Sequence, residues 1–251
     1  MKNIQLTFRA LIIAGFFSVI SCKDNASSKI KTTENSTHTT EVKDQNPEST
    51  QTENTSTDET QSPDGVAFFD AGIRAIEANN MSAAFKEFLA AANEGHALAQ
   101  FNTGLMYEQG LGTDKNPEEA FLWYNKSANQ GNSAAQFNLG VSYENGLGTT
   151  IDYTKANEWY RKASLQGDGL AVGNLGMLYM RGQGVEVNQV AGVALLIVSA
   201  TIDTSPENQA RKNISASRSL TPEMIAKAQT LSNEMSTAEN ILIPLDAYLN
   251  N

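Results

Sequence analysis

The sequence predicts an all-α solenoid of antiparallel helix pairs with a C-terminal helical cap. Three observations lead there. Sliding the chain by 36 positions superimposes three stretches, so that Gly95 falls on Gly131 and Gly167, Gly104 on Gly140 and Gly176, and Tyr107 on Tyr143 and Tyr179. A Gly-x-Gly turn recurs at the same period, as Gly110-Leu111-Gly112, Gly146-Leu147-Gly148 and Gly182-Gln183-Gly184. Ala120, Trp123, Tyr124 and Ala128 share one helical face, and Ala156, Trp159 and Tyr160 repeat it. A fixed period of this length marks units that bury their apolar faces only against neighbours.

Residues 1–21 read as a processing signal. Lys2 and Arg9 give a basic start, and the apolar run from Leu11 to Ile20 is too short to span a bilayer. It ends in Val19-Ile20-Ser21-Cys22, which resembles the lipobox of bacterial lipoproteins. That resemblance implies cleavage before Cys22 and acylation of Cys22, which would tie the protein to a lipid bilayer. Cys22 is the one cysteine of the chain, so no disulfide can form within it. By analogy with enteric lipoproteins, Lys23 after the cysteine favours the outer membrane, with its periplasmic face preferred. Lys23-Asp24 also resembles the basic-then-acidic surface-export signals of some other bacteria, which leaves the cell surface as the alternative. Cleavage would remove two cations and no acid, leaving the chain more acidic than its formal −10. Such a charge argues against nucleic acid as a partner.

Residues 22–64 hold the acylated cysteine and then a polar run rich in Thr, Ser, Asn and Glu, with Ile30 and Val42 its main apolar side chains. Too little apolar surface is available to offset ordering, so a disordered tether is expected, with an rms span of roughly 35–40 Å.

Residues 65–203 read as about four helix pairs. First helices are expected at 97–108, 133–144 and 169–180. The glycines of each turn supply positive φ, and Gly95, Gly131 and Gly167 close the second helices. This pattern resembles the Sel-like repeat, a relative of the tetratricopeptide repeat. The resemblance covers roughly residues 97–201 and implies a right-handed superhelix that binds other proteins. The third copy departs, with Leu195 and Leu196 in place of the Trp-Tyr pair. A degenerate unit comes first: Gly72, Ala75, Ala84, Phe88 and Ala91 keep the spacing, but its inner turn is shorter and lacks Gly-x-Gly. Trp123 and Trp159 should be buried between units.

Residues 204–251 read as cap and tail. A helix is plausible over 206–217, and Thr221-Pro222-Glu223 opens another reaching about Met235. Ile241 to Leu245 can either pack back on the cap or offer a short strand.

Few residues suggest chemistry. His38 lies in the tether and His96 opens a first helix, so nucleophilic catalysis would depend on one exposed histidine. No Cys/His cluster suggests zinc, and the Gly-x-Gly turns lack the flanks of a phosphate loop. No cofactor, metal or enzymatic activity is expected. Resemblance to tetratricopeptide solenoids implies a concave groove on the first helices, with an aromatic row (Phe69, Phe101, Phe137) beside a carboxylate row (Glu77, Glu108, Glu144). Such a groove suits a peptide with apolar anchors and basic residues. The rival reading makes the phenylalanines core and the acids solvated surface. Asn102, Asn138 and Asn174 either hold a bound peptide backbone or bond between helices. The expected function is a membrane-anchored interaction scaffold of the cell envelope. Alternatives are a peptidoglycan-recognising regulator and an envelope hydrolase.

Overall fold

The computed structural model describes residues 62–217 and 219–250. The signal, Cys22, His38 and nearly all of the tether lie outside the described residues. Among the described residues all regular structure is helical. In order, the helices are α1 (Pro63–Glu77), α2 (Met81–Asn93), α3 (Ala97–Gln109), α4 (Pro117–Asn129), α5 (Ser133–Asn145), α6 (Tyr153–Leu165), α7 (Gly169–Arg181) and α8 (Gln189–Ile202). The cap follows as α9 (Ala210–Ala216), α10 (Pro222–Thr237) and α11 (Leu242–Leu249). Each odd helix from α1 to α7 pairs with the next even one, and α3, α5 and α7 also pack on the second helix of the unit before. None of these helices is long and apolar enough to cross a membrane.

Helix boundaries follow from capping chemistry. Asn132 and Asp168 accept the amides of Ala135 and Ala171 at 2.8 and 2.9 Å, satisfying donors that the first turn leaves open. His96 takes this place in the first Sel-like copy and accepts the Ala99 amide through Nδ1 at 3.1 Å. Gly110, Gly146 and Gly182 end α3, α5 and α7 in the left-handed region, and Gly95, Gly131 and Gly167 hold positive φ after the second helices.

The second glycine of each turn has another duty. A Cβ on Gly112, Gly148 or Gly184 would collide with the backbone of Met81, Pro117 or Tyr153, the first residue of the preceding unit's second helix. Each loop therefore docks on the unit before it, and glycine is the side chain that permits the approach. The α1–α2 unit has no described unit before it, and its connection is the short turn Ala78–Asn80. Loss of the loop goes with loss of its docking site.

Between units, Tyr107 and Tyr143 set their rings edge-on against Phe85 and Phe121 at 5.1 and 5.3 Å. Trp123 and Trp159 are buried, with Lys126 and Lys162 lying 3.6 and 3.7 Å from their ring centroids. Helix α8 is apolar on nearly every side, and α7, α9, α10 and α11 all pack against it. The cap thus covers a surface that a further repeat would otherwise take.

One expectation about this region needs correction, and one open alternative is decided. The first cap helix begins at Ala210, not near Pro206. Asn208 folds the preceding residues into a turn, donating to the carbonyls of Ser199 and Asp203 at 3.0 and 2.9 Å and accepting the Ala210 amide at 2.9 Å. Of the two readings of the tail, packing back on the cap holds, and the tail does so as a helix. Leu242 and Leu245 are buried against the cap while Arg161 grips both carboxylate oxygens of Asp246 at 2.6 Å. Pro244 is tolerated because it falls in the first turn of α11.

Candidate functional site

Each first helix contributes one residue of the same register to a row that runs along the array. Ile73, Leu105, Val141 and Met177 form an apolar row, with Leu105 buried and the others half-buried. Next along each helix stand Glu108 and Glu144, both half-buried. Half-buried carboxylates need partners. Tyr124 donates its hydroxyl to Glu108 Oε2 at 2.7 Å, and Tyr160 donates to Glu144 Oε2 at 2.6 Å. The following unit completes the second chain. Asn174 Nδ2 donates to the Tyr160 hydroxyl at 3.1 Å, and Asn138 stands at the same register one unit earlier. Burial and then the adjacent glutamate push both tyrosine hydroxyls far above their usual range. They stay protonated and keep donating.

Close packing fixes these tyrosines. A Cβ on Gly140 would approach the Tyr160 ring to 2.6 Å, so the ring lies directly on the backbone of the neighbouring helix. In the third copy the whole device is replaced as a unit. Leu196 stands at the tyrosine register and Met180 at the glutamate register, and the two pack in one apolar cluster. Donor and acceptor disappear together, leaving no buried polar atom behind.

Of the aromatic row, Phe69 and Phe101 are buried and Phe137 is half-buried. Phe69 stacks on His96 with centroids 4.4 Å apart and an interplanar angle of 15°. Phe101 and Phe137 tilt against Tyr124 and Tyr160 at 6.0 Å. These rings therefore support the tyrosines that hold Glu108 and Glu144. Asn102 is buried beside a register where Phe88 replaces tyrosine, so its unit offers no such hydroxyl. Glu77 is exposed, as are its register mates Gln109, Asn145 and Arg181. Arg181 approaches Glu144 to 3.9 Å. His96, expected to be exposed, is 5% exposed and serves as a cap. Among the described residues no group of His, Cys, Asp and Glu could hold a metal ion.

A second network had no counterpart in the sequence reading. Gln130 donates to the Gly95 carbonyl at 3.0 Å and to Gln100 Oε1 at 2.7 Å, and Gln166 repeats both bonds to Gly131 and Gln136 at 3.0 and 2.8 Å. The recurrence of both glutamines at the repeat period was the available signal.

Residues 97–132, 133–168 and 170–201 match the family model of the Sel1 repeat. Each of the three central units is thus similar to a Sel1 repeat. The crystal structure of a Sel1 repeat protein from Oxalobacter formigenes is similar at 35% identity and a TM-score of 0.52, covering 55% of this chain and 58% of that one. A protective antigen present in uropathogenic Escherichia coli strains, displaying an SLR fold, is 26% identical over 68% of this chain and 45% of that one, with a TM-score of 0.43. The chain thus spans less than two thirds of either structure. No curated protein matches it at a significant level. Sel1 repeat proteins generally mediate protein–protein interaction and are typically non-enzymatic.

Proposed function

We propose that this protein is an interaction scaffold of the bacterial cell envelope, anchored through an acylated Cys22, and that its first-helix groove takes a peptide segment of another envelope protein. The observation that carries the groove is the apolar row from Ile73 to Met177 flanked by Glu108 and Glu144, each held by a neutral tyrosine. Such carboxylates are pre-organised acceptors, so a partner that pairs with them loses little to side-chain ordering. The apolar row supplies contact area, and the acids favour a segment carrying Lys or Arg. Val19-Ile20-Ser21-Cys22 supports the anchor, and Lys23 supports the outer membrane.

The test compares wild-type protein with Glu108→Lys/Glu144→Lys in binding to partners retained from detergent-solubilised envelope. Loss of a retained protein in the variant, with helicity unchanged, is the expected result. An unchanged set of retained proteins would place binding elsewhere. Cys22→Ser should separately abolish incorporation of labelled fatty acid.

A further inference from the structure

Each Sel1-like unit turns one side of its first helix toward the unit before it. Gln100 and Gln136 mark that side, donating to the carbonyls of Ala92 and Ala128 at 3.1 and 3.2 Å. One and two turns further along, Leu139 and Leu178 show how deep the contact is, for neither has any exposure. In α1 the same side carries Phe68, Ala71, Arg74 and Ala75. No described unit precedes α1, and Phe68 is 38% exposed. A register that is buried in every later unit here presents an aromatic ring to solvent.

Two occupants are poorly matched to this face. Residues 23–61 contain Ile30, Val42 and His38 but no Leu, Met, Phe, Tyr or Trp to cover a phenylalanine. The far end of the array cannot dock there head-to-tail either. At the register where a following loop would sit, Gln189 donates to Ser219 Oγ at 2.9 Å, and α10 covers α8. A second N-terminal face fits better. Two α1 helices crossing antiparallel about Ala71 bring Phe68 of each copy opposite Arg74 of the other, a ring against a guanidinium. Ala67 and Ala75 pair across the same axis, and their small side chains let the helices approach.

We propose that this face joins a second copy of the chain in an isologous two-fold contact. One helix face a side makes a small interface, so the association is weak and reversible.

The experiment uses the full chain carrying Cys22→Ser. Sedimentation velocity at rising concentration should show a monomer giving way to a dimer. Phe68→Arg sets like charges together and should leave a monomer throughout, with melting unchanged. Adding Arg74→Glu to Phe68→Arg restores opposite charge and should recover the dimer. Ala71→Cys, at the two-fold axis, should form an interchain disulfide on mild oxidation far faster than Glu158→Cys on α6. A wild-type monomer at every concentration overturns the proposal, as does a dimer indifferent to Phe68→Arg. Equal cross-linking at the two cysteine positions overturns the geometry.

Discussion

Tyr160 donates to Glu144 at 2.6 Å, and one repeat earlier Tyr124 donates to Glu108 at 2.7 Å. The bond joins the two helices of a unit, and at Tyr160 the asparagine of the next unit, Asn174, extends it across the unit boundary. The polar chain at Tyr160 thus does two things: it holds the half-buried Glu144 in place and ties neighbouring units together. Tyr160→Phe keeps the ring in place, as Phe88 does in the first unit, and removes only the hydroxyl. Glu144 and Asn174 then lose a shared partner, and stability should fall by about 1–3 kcal/mol. Adding Glu144→Met with Tyr160→Leu, the pair used by the third unit, should cost less than the separate changes predict. Urea unfolding of wild type, Tyr160→Phe, the two single changes Tyr160→Leu and Glu144→Met, and their double reads both effects, and strict additivity would count against the coupling.

Asp168 offers a pH test. Burial raises its carboxyl, the amides of Ala171 and Leu170 partly lower it, and the carboxylate of Asp203 raises it again, leaving it above the ordinary value. An acid whose folded pKa lies above its unfolded value favours the fold while protonated. Its contribution is full below about pH 4 and is lost as pH rises through the folded value. Asn132 fills the same cap one unit earlier without a charge. Asp168→Asn should therefore melt higher than wild type at neutral pH, with the difference closing below about pH 4. Equal melting temperatures at neutral pH would remove the argument.

Gly148 should tolerate no side chain. Its φ is 68°, and its Cα lies against the carbonyl of Pro117. Gly148→Ala combines backbone strain with a collision that neither partner can avoid by rotating a side chain. A loss of about 2–4 kcal/mol is expected, from strain and displaced packing together. Because units contact only neighbours, hydrogen exchange should rise first along α4 and α5 and least in the cap. A uniform rise over all helices would mean that the array unfolds as one body.

Trp123 and Trp159 are 6% and 9% exposed. Replacing either with alanine should cost about 3–5 kcal/mol. Acrylamide should quench native tryptophan fluorescence weakly. Strong native quenching would contradict their burial.

Much of this architecture was legible from period alone. The helix boundaries of α3, α5 and α7 fall within a residue of expectation because the glycines that end them recur at a fixed interval. The tyrosine-glutamate chain was not legible. Tyr160 and Glu144 are sixteen positions apart on different helices, and an aromatic on an apolar face reads as packing until its hydroxyl is placed. His96 is buried where a lone helix-opening histidine predicts exposure, because its ring is the cap of α3. Its register mates Asn132 and Asp168, both good caps, carried the correct signal. The tail defeated pattern reading since Ile241-Leu242-Ile243-Pro244-Leu245 has β-branched residues and no alternation, and only the docking of Leu242, Leu245 and Asp246 selects the helix.

The groove itself gives the last prediction. If a partner segment seats on Leu105, Val141 and Met177 with basic residues toward Glu108 and Glu144, apolar and charged changes should act on different rate constants. Val141→Asp removes contact area at the centre and should mainly speed dissociation, because affinity within one interface is tuned through the off-rate. Glu108→Lys/Glu144→Lys reverses the local field and should mainly slow association, with the largest effect at low salt. Tyr160→Phe should fall between them, since it releases Glu144 without removing its charge. Surface plasmon resonance of the retained partner over a salt series separates the three. A double charge reversal with no effect on association at low salt would exclude this row of the first helices as the binding face.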